Sequence, residues 1–192
     1  CSHGSVVVLS DRKEEDIEWQ YTRKLKTPEG EREWQIHTLS VPKEEVYLVI
    51  GNTGIHAPTS VQVEKVAKML DEKPERMNEI ETIGVIARRG IKSLLLGDYD
   101  AVGRAMSENQ LMLQSIGVSS PELERLIQAA NPTSLGAKLT GAGGGGCMVA
   151  LTRNPKATSE AIELAGGRTI ISSFGASGMT LDECAEDFIW KI

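Results

Sequence analysis

The chain has 192 residues, 40% of them hydrophobic and 25% charged, with a formal net charge of −6. That length builds a core without disulfide or metal staples, and Lys and Arg cluster no more than three at a time without an intervening Asp or Glu, which argues against a nucleic-acid footprint. Cys1, Cys147 and Cys184 are widely spaced with no Cys-x-x-Cys pair, and no signal peptide or long apolar run occurs, so a cytoplasmic protein with no membrane partner and no structural zinc is expected.

The first residue is Cys1, with a strand pattern directly behind it, so a piece cut from a longer protein is expected. Residues 5–10, 16–25 and 33–40 read as strands, with Ile17, Trp19 and Tyr21 alternating against Glu18, Gln20 and Thr22. Thr27, Pro28, Glu29 and Gly30 form a turn between the last two, giving a meander with one wet face. Residues 45–54 read as a more apolar, central strand that ends in a Gly-flanked turn, "GNTG". From Pro58 to Ala130 the period changes to that of helices. Val61, Val66 and Leu70 mark the first, and Pro74 opens the next, striped by Ile80, Ile83, Ala87, Ile91 and Leu94. After Gly97 and Asp98, Tyr99, Val102, Met106 and Leu113 trace a third helix that stops near Gly117. A fourth starts with Ser120 as N-cap and Pro121 at its first position. These apolar stripes are core packing. A short strand (137–140), a buried strand (147–152), a helix (155–165) and a last strand in "GRTIISSF" complete the order. The tail "LDECAEDFIWKI" has helical spacing at Leu181, Cys184, Phe188 and Ile189.

Between the two strands, residues 141–146 read GAGGGG, five glycines in six positions. Each glycine costs roughly 0.5–1 kcal/mol of chain entropy relative to alanine, so such a run needs a structural or functional reason. Gly141, Gly143 and Gly146 satisfy G-x-G-x-x-G, but the run precedes a strand, whereas a dinucleotide fingerprint opens a helix. Cys147 and Met148 stand where a Walker loop needs Lys and Ser or Thr. A strand-to-strand glycine loop remains, with bare backbone for an anion to approach, and Lys138 and Thr140 add a cation and a hydroxyl to the same edge. Cys147 reads as a small core residue and His56, beside the turn, as a surface one.

"GAKLTGAGGGGCMVAL" resembles the C-terminal glycine-rich motif of the GHMP kinases, and most of all that of the archaeal members that phosphorylate mevalonate. "VIGNTGIHAPTSVQVEKV" resembles the segment after that family's central strand, and "GDYDAVGRAMSENQLMLQSIGVSSPELERLIQAA" the helices before the motif, so that residues 45–175 are covered. The resemblance implies an α+β, ferredoxin-like fold, an antiparallel sheet with helices on one face, with 1–45 as a strand-rich start and 46–192 as the GHMP kinase C-terminal domain. It implies transfer of a phosphoryl group from ATP to the C5 hydroxyl of mevalonate, with Mg2+ as cofactor. The serine-rich phosphate loop and catalytic Asp belong to an N-terminal lobe whose motifs are absent from these residues, so no catalytic residue and no metal ligand is assigned here and the fragment alone is expected to be inactive. For the cleft it implies Asn52 and Thr53 on the substrate, and Lys138, Thr140, Gly141, Ala142, Gly143, Gly144, Gly145 and Gly146 on the phosphate side.

The N-terminal lobe and the small-molecule substrate are the implied partners, and a sheet edge open where that lobe docks allows a homodimer. Two other readings stay open: a GHMP kinase for phosphomevalonate or homoserine, or a non-catalytic ferredoxin-like ligand-binding domain. A phosphorylated substrate calls for Arg or Lys near the cleft besides Lys138.

Overall fold

The computed structural model describes residues 6–27, 30–42 and 44–173. They fall into two compact units, residues 6–40 and residues 41–173. The two middle residues of the expected turn after Thr27, and the amphipathic tail, lie outside the described residues.

The first unit is an antiparallel sheet of β1 (Val6–Ser10), β2 (Glu18–Thr27) and β3 (Gly30–Leu39), in the order β1-β3-β2. The alternation at the start of β2 is present, but Trp19 and Tyr21 are exposed while Gln20 and Thr22 are half-buried. Polar pairing across the strands explains this. Gln20 donates to the Thr38 hydroxyl at 2.9 Å, Thr22 donates to Gln35 Oε1 at 2.8 Å, and a register shift between Trp19 and Tyr21 lets the Trp19 indole reach the same oxygen at 2.9 Å. The Lys13 ammonium sits 3.6 Å over the Trp19 ring, which keeps that aromatic useful in water. His37 is fully buried, and its Nε2 accepts the Glu14 N–H at 3.1 Å, so a histidine without an assigned role closes the loop between β1 and β2.

The second unit begins with β4 (Tyr47–Asn52), runs through α1 (Thr59–Glu72), α2 (Met77–Leu96), α3 (Tyr99–Ser115) and α4 (Pro121–Ala130), and ends β5 (Gly136–Thr140), β6 (Cys147–Thr152), α5 (Pro155–Leu164) and β7 (Arg168–Ser173). The helix ends follow local chemistry. Gly97 ends α2 with φ 70°, Asp98 caps α3 by accepting the Ala101 N–H at 2.9 Å, and Ser120 caps α4 by accepting that of Leu123 at 3.3 Å. The four strands pair antiparallel in the order β5-β6-β4-β7, which places the first strand of the unit inside the sheet and gives the ferredoxin-like α+β arrangement.

One face of this sheet carries Val49, Ala137, Leu139, Met148 and Ala150, all buried against Leu123, Leu126 and Ile127 of α4 and Ile162 of α5. Leu48 and Leu151 alternate to the opposite side, and the start of α3 packs on them through Tyr99 and Val102. The Tyr99 hydroxyl reaches the Pro42 carbonyl at 2.6 Å, fixing α3 to the entry of the sheet. α3 then lies along β5 so closely that Gly103 meets the backbone of Leu135 and Gly136.

Farther along α3, buried Gln110 joins three elements. Its Oε1 accepts the Leu139 N–H of β5 at 2.9 Å, while its Nε2 donates to the Ser119 hydroxyl at 3.0 Å and to Glu124 of α4 at 2.6 Å. Replacing it by an isosteric apolar side chain strands a buried backbone donor, so Gln110→Met is expected to cost about 2–3 kcal/mol. Urea unfolding followed by circular dichroism measures it, and an unchanged midpoint would show that water replaces the amide there.

Candidate functional site

β4 ends at Asn52, which pairs with Cys147, the first residue of β6, and is followed by Thr53 and Gly54, so the glycine loop and this turn emerge at the same end of the sheet. The turn is held by its own side chains. Asn52 Oδ1 accepts the Gly54 N–H at 2.7 Å and Thr53 Oγ1 accepts that of Ile55 at 3.2 Å, a local exchange that Asn and Thr favour in loops. Thr53 then grips the glycine loop, because both its N–H and its hydroxyl donate to the Gly146 carbonyl at 2.9 Å. The Gly146 N–H returns to the Ile55 carbonyl at 2.8 Å, and the Gly144 N–H donates to the Val118 carbonyl at 2.7 Å.

The glycines divide into two kinds by what surrounds them. A Cβ on Gly143 would stand 2.1 Å from the Val118 carbonyl oxygen, one on Gly144 2.3 Å from Gln62 Nε2, and one on Gly145 2.7 Å from the Ile55 carbonyl oxygen. These three glycines let the loop pack against the turn, α1 and the segment before α4. Gly141 and Gly146 face open space, yet have φ of 81° and 73°, the left-handed region that a side chain disfavours. A packed inner side and open outer corners make a stiff backbone shelf. Such a shelf presents main-chain groups to a polar ligand without side chains in the way.

A cleft of about 580 Å3 opens beside the shelf, lined by Asn52, Ile55, His56, Gly146, Arg168 and Ile170 among others. Of the residues expected on the cleft, the structure brings Asn52 and Gly146 to its wall. Thr53 adjoins them, with its hydroxyl engaged in the brace, and Gly143, Gly144 and Gly145 form the packed side of the loop. Thr140 ends β5 exposed, followed by Gly141 and Ala142 at the turn of the loop. Lys138 does not join the cleft wall. Its ammonium donates to the Leu139 carbonyl at 2.7 Å and its side chain lines a separate apolar cavity between α2 and α3.

Arg168 and His56 are the basic side chains among the described residues of the cleft lining, and no Asp or Glu is among those residues. Sequence reasoning did not single out Arg168, because the pairing of β7 with β4 that brings it opposite Asn52 is a long-range contact. Val118, Ile55 and Gln62 were missed for the same reason. Val118 and Ile55 support the loop through backbone carbonyls, which carry no residue-type signal, and Gln62 stands against Gly144 through its side-chain amide. No three His, Cys, Asp or Glu residues assemble into a metal-binding group among the described residues, and among them no helix is long and apolar enough to cross a membrane. Cys147 is a half-buried free thiol at the start of β6.

The family described as GHMP kinases C terminal matches residues 91–169, which run from α2 to the start of β7. The mevalonate kinase of Pyrococcus furiosus is 36% identical over 152 residues, covering 74% of this chain and 45% of that protein. That of Thermococcus onnurineus is 37% identical over 154 residues, covering 74% of this chain and 45% of the relative. The chain therefore spans about half the length of the curated relatives it matches. Among solved structures, L. major mevalonate kinase in complex with R-mevalonate superimposes with a TM-score of 0.65 at 25% identity, over 81% of this chain and 50% of that one. Streptococcus pneumoniae phosphomevalonate kinase shares the fold, with a TM-score of 0.62 at 18% identity, over 72% of this chain and 42% of that one. Strand order, glycine loop and relatives agree: the chain carries the C-terminal domain of the GHMP kinase family.

Proposed function

We propose that this chain is the C-terminal part of an ATP-dependent small-molecule kinase that phosphorylates the C5 hydroxyl of mevalonate. The observation that carries the proposal is the braced glycine shelf, which opens on a cleft with cationic and amide donors. The mevalonate kinases that match at 36% and 37% identity supply the substrate.

Phosphoryl transfer depends mainly on positioning and on stabilising the charge of the transferred group, so its parts can be divided between two lobes. When bound, Mg-ATP supplies the phosphoryl group. The part of this chain is to hold the loop from Thr140 to Gly146 in one shape. Thr53 and Val118 hold it by hydrogen bonds that need no rearrangement when the ligand arrives. Asn52, whose Oδ1 is committed to Gly54, has its amide N–H groups left to orient a substrate oxygen. The general base, the serine-rich phosphate loop and the metal ligands are assigned to the N-terminal lobe, so the 192 residues alone are proposed to be inactive.

Arg168 favours a second reading within the same family. A guanidinium in a cleft whose described lining has no carboxylate suits a substrate that already bears a phosphate. A coupled ADP-release assay with ATP, magnesium and a panel of mevalonate, phosphomevalonate, homoserine and galactose separates the readings. It is run on this chain and on a chain extended upstream by the N-terminal lobe. Turnover of mevalonate by the extended chain only is the expected result. Preference for phosphomevalonate would move the assignment to the second reading, and silence of both chains would leave a ligand-binding domain.

A further inference from the structure

The cavity that takes Lys138 shares no lining residue with the glycine-loop cleft. It measures about 260 Å3 and lies between α2 and α3, with walls that include Ile86, Ile91, Leu94, Val102 and Met106. A cavity of about 150 Å3 already holds a six-carbon ring, so there is room for a short aliphatic chain with a polar head.

Its two polar side chains are Lys138 and Asn109. Lys138 is half-buried, and drawing an ammonium even partly out of water without a paired charge costs it solvation. Lys138 has no such pair among the described residues. Its recorded bond goes to the Leu139 carbonyl, which occupies one of three ammonium donors. Burial pushes its pKa below the ordinary lysine range, and no neighbouring carboxylate opposes the effect. The Asn109 amide lies in the same lining and has no hydrogen-bond partner among the described residues.

We infer that this cavity is a binding site for a short-chain aliphatic carboxylate, whose head is held by Lys138 and Asn109 and whose chain lies along α2 and α3. A single ammonium and one amide suit a monoanionic, planar head; a phosphate dianion would ask for a second cation. The apolar walls suit an unsubstituted chain over a hydroxylated one, since each buried hydroxyl would need a partner that these walls lack. The inference is independent of the kinase proposal, because it uses no residue of the glycine-loop cleft.

The test is a titration of the 192-residue chain with sodium hexanoate, 1-hexanol and mevalonate, followed by methyl NMR of the Ile86, Ile91 and Met106 signals. Hexanoate is expected to give saturable shifts there and to bind about 10- to 100-fold more tightly than hexanol, as a charge-assisted hydrogen bond warrants. Mevalonate should leave these methyls unmoved. Lys138→Met should bring hexanoate down to the affinity of hexanol without weakening hexanol. Equal affinities of hexanoate and hexanol for the wild-type chain would overturn the inference, whether or not the variant folds. Unaltered hexanoate binding by a folded Lys138→Met would overturn it too.

Discussion

Gly136→Ala is expected to lower the stability of residues 41–173 by about 3 kcal/mol or more, a large share of what a domain of this size has. A Cβ at Gly136 would stand 1.9 Å from the carbonyl oxygen of Gly103, and one at Gly103 2.2 Å from that of Leu135. Both obstacles are main chain, so no rotamer change relieves them. Either α3 must move off β5 or β5 must leave the sheet. The first would disturb the packing of Tyr99 and Val102 with Leu151, and the second would break the Gln110 bond to the Leu139 N–H. Gly84→Ala in α2 is the control. Its new Cβ would meet only the end of the Arg88 side chain at 3.6 Å, so a gain of roughly 0.5–1 kcal/mol in helix propensity is expected. Urea unfolding of both variants measures the contrast, and a Gly136→Ala midpoint equal to that of the wild type would refute the close approach.

The second large effect belongs to the glycine loop. In a chain extended by the proposed N-terminal lobe, and on the proposed kinase function, Gly143→Ala is expected to lower turnover about 100-fold or more, equivalent to ~2.7 kcal/mol of barrier. Two causes act at this position. The residue has φ of +83°, which costs alanine about 1 kcal/mol. Its Cβ would also stand 2.1 Å from the Val118 carbonyl that now accepts the Gly144 N–H at 2.7 Å, so the loop must lift from its support. Gly141→Ala separates the two causes. It has the same kind of φ, +81°, with nothing within 4 Å, and is expected to cost only about 1 kcal/mol of stability and little of the loop's position. Turnover that fell equally in both variants would show that chain flexibility, and not the bracing by Val118, is what the loop supplies.

The two variants also separate what is legible in this sequence from what is not. Local chemistry set the element boundaries: Ser120-Pro121 opens α4, Asp98 caps α3, and Gly97 ends α2 in the left-handed conformation. The helical period from Pro58 to Ala130 and the strands around the glycine run were visible because side chains alternate with the geometry of the backbone they lie on. The GAGGGG run was legible for a related reason, since so much bare backbone has an entropy cost that only a specific structure repays. In β2 the same kind of reasoning found the alternation, but only the structure shows that Trp19 and Tyr21 face solvent while Gln20 and Thr22 are half-buried. Cross-strand bonds from Gln20 and Thr22 to Thr38 and Gln35 outweigh the preference of Trp19 and Tyr21 for burial.

By itself, then, the sequence determined the order of the elements, the place of the loop between two strands and the family motif it carries. The tertiary structure alone decided which residues meet. Lys138 lies one strand position before Leu139, and because side chains alternate across a sheet it points to the α2–α3 cavity while Leu139 enters the core under α4. Arg168 stands opposite Asn52 only because β7 pairs with β4, more than a hundred residues earlier in the chain. Val118 and Ile55 support the glycine loop through carbonyl oxygens, which every residue type has. Those contacts leave no mark in residue identity, since the backbone that makes them is the same at every position and only the fold brings it to the loop.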